Sequence, residues 1–216
     1  MLFRSNEILQ SCGNFAGSHY PNSCFIGTTL GSDSKPVYVG PSGGTITTTG
    51  PDNFHYWFND DTSVDPSTNP NQAINWPFPI DFFLTPNPDG ITFTYDNKFF
   101  FPIDNALFGD EGEVDGAGSP HNYGFTTEFH LTFTYRTGQT FNFNGDDDLL
   151  VFINGNLVVD RSGIHDTQAA DLNLDLLGLT SGQDYSFDLF YCERNPTKSE
   201  ITITTSMQFK GTVAIN

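Results

Sequence analysis

From residue 125 onward the chain alternates with a period of two. Phe125, Thr127, Phe129, Leu131, Phe133 and Tyr135 fall on one face of an extended segment, and Thr126, Glu128, His130, Thr132 and Thr134 fall on the other, which predicts a half-buried strand. After a turn at 136–139, Phe141 and Phe143 continue the pattern. Residues 149–153 and 157–159 are β-rich apolar runs joined through Asn154-Gly155, the dipeptide best suited to the positive φ angles of a type I′ hairpin turn. Residues 172–177 alternate again, and 185–192 and 201–209 finish as strands, while 160–170 reads as loop. Upstream, 91–95 predicts a strand and 99–103 is a bulky apolar segment that must be covered. The one predicted helix is a turn or two over 53–58, capped by Asp52, because Phe54, Trp57 and Phe58 share a helical face. Short strands with turn signals at this spacing predict an all-β fold, an antiparallel β-sandwich or jelly roll with few short helices.

Residues 40–50 are nearly all Gly, Ser, Thr and Pro, which marks a loop and sets the expected boundary near residue 50. Residues 1–50 are then an extension packed on the core, a candidate for self-association or attachment, and 51–216 the sandwich. At 216 residues the chain is long enough for one well-buried core.

The pattern breaks at Asp146, Asp147 and Asp148, three consecutive acids between two apolar runs. Holding carboxylates together at the mouth of a rigid hairpin costs Coulomb energy, and a hard cation among them offsets it. An EF-hand does not fit, because Asp148 runs directly into apolar residues where that loop needs alternate ligands and a central glycine. Paired-carboxylate catalysis on a sugar needs acids about 5 to 9.5 Å apart, which adjacent residues facing one ion do not meet. A second acidic stretch, 104–118, reads as a mobile loop, with a second cation site as the alternative. The five histidines show no metal-ligand spacing. Among them His165 would lie near the hairpin, where it could line a pocket. Trp57 and Trp76 read as core, with a pocket rim as the alternative.

Charge narrows the partners. Eight Lys+Arg stand against 26 Asp+Glu for a net charge of −18, which argues against nucleic acid or an anionic membrane surface and leaves cations and neutral sugars. Of the three cysteines, a Cys12–Cys24 bridge is the favoured pairing with Cys192 free or buried, and pairing of Cys192 with either is the rival. Residues 1–10 lack the apolar core of an export signal and nowhere do 18 apolar residues run together, so neither an export signal nor membrane insertion is expected, and the chain reads as an excised piece or a mature form.

Gly145-Asp146-Asp147-Asp148, Val151-Phe152-Ile153-Asn154-Gly155, Leu157-Val158-Val159-Asp160, Gly163-Ile164-His165 and the run from Phe187 to Arg194 resemble the fibro-slime branch of PA14-type domains. Phe54-His55-Tyr56-Trp57-Phe58 and the segment from Phe100 to Gly109 fit the same branch, so the resemblance spans roughly residues 50 to 210. It implies a β-sandwich of secreted and cell-surface proteins, among them sugar-binding adhesins that hold one calcium ion. In those adhesins two adjacent aspartates joined by a cis peptide bind the ion, and here they fall on Asp146 and Asp147. A cis bond between non-proline residues costs roughly 2.5 to 4 kcal/mol, which calcium coordination would offset. The family's second calcium loop supplies an Asn side chain and two main-chain carbonyls; the matching positions here are Glu193, with Asn195 and Thr197 as carbonyl donors. The Glu193-Arg194 pair could equally be a structural ion pair.

The expected function is a calcium-dependent carbohydrate-binding module of an extracellular or cell-surface adhesin. Asp146, Asp147 and Asp148, His165 and the rest of 163–166, and Arg194 through Lys198 would meet the sugar. A calcium-rigidified structural module of a matrix or fibre is the alternative, and catalysis is not expected.

Overall fold

The computed structural model describes residues 25–60, 63, 76–107, 110, 112–196 and 198–210. Two five-stranded sheets face each other. Their strands are β1 (Thr85–Pro86), β2 (Phe93–Asn97), β3 (Phe125–Thr134), β4 (Thr140–Gly145), β5 (Asp148–Ile153), β6 (Asn156–Arg161), β7 (Gln168–Asn173), β8 (Asp184–Glu193), β9 (Ile201–Thr205) and β10 (Phe209–Lys210). The first sheet runs β1-β2-β9-β4-β7 and the second β10-β3-β8-β5-β6. Every pairing is antiparallel. The chain is the all-β sandwich that its alternation predicts.

Alternation decides which side chains meet between the sheets. Phe129 and Phe133 of β3, Phe141 and Phe143 of β4, and Phe187, Leu189 and Tyr191 of β8 fill the central core. β5 departs from strict alternation: all six of its residues are buried. Leu149, Val151 and Ile153 join the central core, whereas Leu150 and Phe152 join a second cluster on the outer face of the second sheet. A strand covered on both faces reads as a continuous apolar run, as it does here.

The cover on that outer face comes from residues 25–58. Phe25, Ile26, Phe54 and Phe58 pack with Phe152, Phe190 and Cys192. The backbone around residue 30 runs beside the hairpin tip, with Leu30 N donating to the Gly155 carbonyl at 3.0 Å and Leu157 N to that of Thr28 at 2.9 Å. Lys35 pairs with Glu128 of β3. His130 next to it is raised to about 9, first by its hydrogen bond to Asp188 and then by Glu128.

Asn154 and Gly155 adopt φ of 52° and 73°, the left-handed pair that the hairpin turn requires. Three local expectations are corrected. The helix α1 spans Pro51–Phe58, beginning with a proline rather than with an Asp52 cap; Gly50 precedes it without a side-chain hydrogen bond. The alternating run 172–177 splits, because the Asn173 side chain accepts a bond from Asp175 N and starts a 3₁₀ turn over Leu174–Leu177, while β7 takes up residues expected as loop. The last run also splits: β9 lies in the first sheet and β10 in the second. Cys192 is buried with a free thiol, and Cys12 and Cys24 lie outside the described residues.

Candidate functional site

The chain crosses between the sheets at seven connections, among them β4–β5, β6–β7 and β8–β9. These three crossings meet at one end of the sandwich, and the acidic triplet is the first of them. Gly145 makes the meeting close: a Cβ there would lie 2.5 Å from the Glu200 carbonyl oxygen. No residue with a side chain fits, so the chain leading into β9 passes directly beside Asp146.

The carboxylates of the triplet tie the other two crossings to this one. Asp146 accepts from Glu200 N at 2.9 Å, with the Lys198 ammonium 3.7 Å away. Asp147 accepts from His165 N at 3.1 Å and from Arg194 N at 2.9 Å. Asp148 accepts from Gly163 N and is gripped by the Arg194 guanidinium through Nε at 2.7 Å and Nη2 at 2.6 Å. Arg194 reaches on to the Thr47 carbonyl and lies 4.3 Å above the Trp57 ring. The three aspartates are therefore buried, at 3%, 1% and 2% exposure, rather than solvated at a hairpin mouth.

Among the described residues Asp148 alone of the triplet is hydrogen-bonded to a counter-charge, while Asp146 has the more distant Lys198 ammonium. Glu193, wholly buried, accepts from Asn195 N at 3.1 Å and from the Tyr191 hydroxyl at 3.1 Å. Burial, and then repulsion from Asp147 and Asp146, pushes its carboxyl up to about 8. Burial likewise raises Asp146, and burial with repulsion from Asp148 raises Asp147. Beside them the Tyr123 hydroxyl is buried without a hydrogen-bond partner, and burial together with the charges of Asp115, Glu193, Asp104 and Asp146 raises it to about 12.

These residues bear on the cation expected here. Acidic oxygens excluded from water, too close to ionise together at no cost, and an orphaned phenol next to them form a donor set of the type that suits a hard ion. Their present orientation is another matter: among the described residues no three acidic, histidine or cysteine side chains converge as metal ligands. Each carboxylate is turned to a backbone N–H of a neighbouring loop instead. The donor set fits a cation in chemistry and burial, and the side chains would have to turn to share one.

The predicted site residues divide accordingly. The structure brings Asp146, Asp147 and Glu193 together. Asn195 enters through its amide toward Glu193, and Thr197 lies outside the described residues. The Asp146–Asp147 peptide is trans, correcting the expected cis bond. In trans the two adjacent side chains diverge, and each finds its own donors. His165 contributes its backbone amide, while its ring nitrogens sit 2.9 Å from the Asp166 carbonyl and 3.2 Å from that of Arg161, so the ring faces its own loop. Arg194 pairs with Asp148 and not with its neighbour Glu193. Lys198 alone of the basic candidates is substantially exposed, and it also contacts Glu200 and Thr167. Tyr123, Thr47 and Glu200 were not foreseen; they are distant in sequence, and no local pattern marks them.

A cleft of about 300 Å³ opens beside this cluster. Glu193 and Arg194 form part of its wall, and Trp57 and Trp76 line it.

Comparison with known families settles the lineage, as the profile of the PA14 domain matches residues 87–212. The chain belongs to the PA14 domain family. Among similar proteins of Dictyostelium discoideum, psiR is 42% identical over 195 residues, covering 86% of this chain and 18% of its own length. The protein psiQ is 41% identical over 190 residues, with 85% and 18% covered, and psiI 43% over 162 residues, with 73% and 22%. This PA14 domain thus spans about a fifth of those relatives. A crystal structure of a GH31 α-xylosidase from Xanthomonas citri aligns with 44% of the chain and 17% of its own, at 12% identity and a TM-score of 0.22, too slight a likeness to bear on fold or activity. Among the described residues of the PA14 domain no helix is long and apolar enough to cross a membrane.

Proposed function

We propose that this PA14 domain is a calcium-dependent carbohydrate-binding module of a secreted or cell-surface adhesin. The observation that carries the reading is the trio Asp146, Asp147 and Glu193, buried and mutually repelling where the three crossings meet. Family membership supports an adhesin-like binding module, and the charge of −18 suits a neutral or cationic ligand. The three carboxylates, with the main-chain carbonyls of Asn195 and Thr197, would hold the ion. When bound, calcium supplies positive charge and open coordination positions for vicinal sugar hydroxyls. The protein's own part is to exclude water, hold the acids close enough that a cation relieves their mutual repulsion and place Lys198 at the rim. No catalytic role is proposed.

Affinity for calcium is expected in the range of extracellular modules, about 10⁻⁴ to 10⁻³ M, with useful adhesion arising from several copies. Calorimetric titration of monosaccharides and short glucans, first with calcium and then with chelator, tests the reading. Calcium-dependent heat with a sugar supports it. Calcium binding with no response across the panel favours a structural module of a matrix or fibre, a role for which the inward-turned Arg194 and His165 already provide rigidity.

Asp147→Asn is expected to weaken calcium binding by about tenfold or more, on the scale of one lost charged ligand, while retaining an acceptor for the amides of His165 and Arg194. A variant that binds calcium as the parent does would remove Asp147 from the site.

A further inference from the structure

We propose that the cleft beside the carboxylate cluster is a second carbohydrate subsite, with Trp76 as its stacking face, so that the domain selects an oligosaccharide over a single sugar ring. The proposal rests on the carbohydrate reading above and extends it from the ion to the chain length of the ligand.

Position comes first. The cleft lies between α1, the 76–80 segment and the start of β3, and Glu193 and Arg194 belong to its wall. Asp146, Asp147 and Asp148 are buried and do not line it, so Glu193 and Arg194 are the residues through which the cleft adjoins the carboxylate cluster. Its volume of about 300 Å³ is at the lower end for small-molecule pockets, which run from about 300 to 1,000 Å³.

The lining then selects the chemistry. Both tryptophans of the chain are here, together with Tyr56, Pro77 and Phe78. Trp57 is already engaged: Arg194 lies over its ring, and Phe25 meets it edge-on at 6.4 Å. Trp76 is different. It is half-buried, and no aromatic contact joins it to another ring among the described residues, although Phe78 two positions on is 41% exposed. An aromatic side chain without an aromatic partner, in a cleft also lined by Thr126, Thr127 and Glu128, suits a ligand with one apolar face and hydroxyls along its edges. A pyranose has that form.

Two other ligand classes fit less well. Asp60 and Glu128 line the cleft in a chain of charge −18, which disfavours an anion. Aromatic rings beside acids can hold an organic ammonium, but the guanidinium of Arg194 already occupies the cation position over Trp57. A neutral polyhydroxyl ligand is what remains.

The test uses gluco-, manno- and galacto-oligosaccharides of one to four residues at saturating calcium, read by calorimetry and by intrinsic fluorescence. Because the only two tryptophans both line the cleft, fluorescence reports its occupancy directly. Affinity is expected to rise about tenfold from the monosaccharide to a longer chain, with the fluorescence change confined to the longer ligands. Trp76→Ala should return the oligosaccharide to monosaccharide affinity and leave calcium affinity unchanged, and Trp76→Phe should keep part of the gain. Monosaccharide binding with no gain on lengthening, or a gain that survives Trp76→Ala, overturns the subsite and leaves the calcium reading standing. Absence of any sugar response at any length overturns the carbohydrate reading itself. A fluorescence response to tetramethylammonium with none to sugars overturns the subsite in favour of an organic cation.

Discussion

Arg194→Met is expected to cost about 3 to 5 kcal/mol of stability, the range for removing one partner of a buried ion pair. The pair concerned is Arg194 with Asp148, whose carboxylate is 2% exposed and meets Nε and Nη2 at 2.7 and 2.6 Å. Methionine keeps the stem that packs beside Trp57 but leaves Asp148 charged, buried and supported only by Gly163 N. The same change releases the Thr47 carbonyl, so the segment preceding α1 loosens with it. Urea unfolding in chelator measures the loss without interference from calcium. Adding Asp148→Asn to the Arg194→Met variant removes the stranded charge and should recover a substantial part of it. A loss below about 1 kcal/mol, the value of an exposed pair, would show that this fork behaves as a surface contact.

Glu193→Gln is expected to act in the opposite direction when calcium is withheld. The Glu193 carboxyl is raised from 4.5 to about 8 by burial and then by Asp147 and Asp146. The folded chain therefore holds this proton more tightly than the unfolded chain does. Below about pH 4.5 both states carry it and no stability is lost; between about 4.5 and 8 the unfolded state ionises first, and stability falls as pH rises. The predicted decline is on the order of a few kcal/mol from this group, and glutamine abolishes that share of it. Unfolding midpoints between pH 5 and 8.5 in chelator should slope downward in the parent and flatten in the variant. Calcium changes the sign for the parent, because the ion binds the ionised acid and competes with the proton. In saturating calcium the parent gains stability by mass action, and the variant gains less. If parent and variant share one pH profile in chelator, the repulsion assigned to Glu193 is absent.

Much of the fold was legible from single-residue alternation. The run 125–135 could be read as β3 because its two faces differ, and Asn154-Gly155 announced its turn because few residue pairs accept positive φ twice in succession. Where alternation failed, a competing interaction had taken over. Asn173 captured the amide of Asp175 and turned a strand-like run into a 3₁₀ turn, a local bond that hydrophobic periodicity does not register. The candidate site was legible in part for a similar reason. Asp146, Asp147 and Asp148 announce themselves as neighbours, but the partners that bury them come from residues 47, 163, 165, 194 and 200, which only tertiary structure assembles. The expected cis bond presupposed two aspartates pointing to one place; the backbone donors of separate loops draw them apart. The tryptophans illustrate the remaining limit. Trp57 and Trp76 looked like core residues, and nothing in their flanks revealed that an arginine from the far end of the chain would cap one and leave the other beside a cleft.

The meeting of three sheet-to-sheet crossings at one end has a consequence for motion. The amides of His165, Arg194 and Glu200 all terminate on the same pair of adjacent aspartates, His165 from the β6–β7 crossing and Arg194 and Glu200 from the two ends of the β8–β9 crossing. Neither of these crossings can lift away from the β4–β5 crossing without stranding a buried carboxylate oxygen, so the three crossings are bound into a single opening event rather than independent loop fluctuations. The sandwich is thereby latched at this end, and a ligand engaging any one of the loops acts on the separation of the two sheets as a whole.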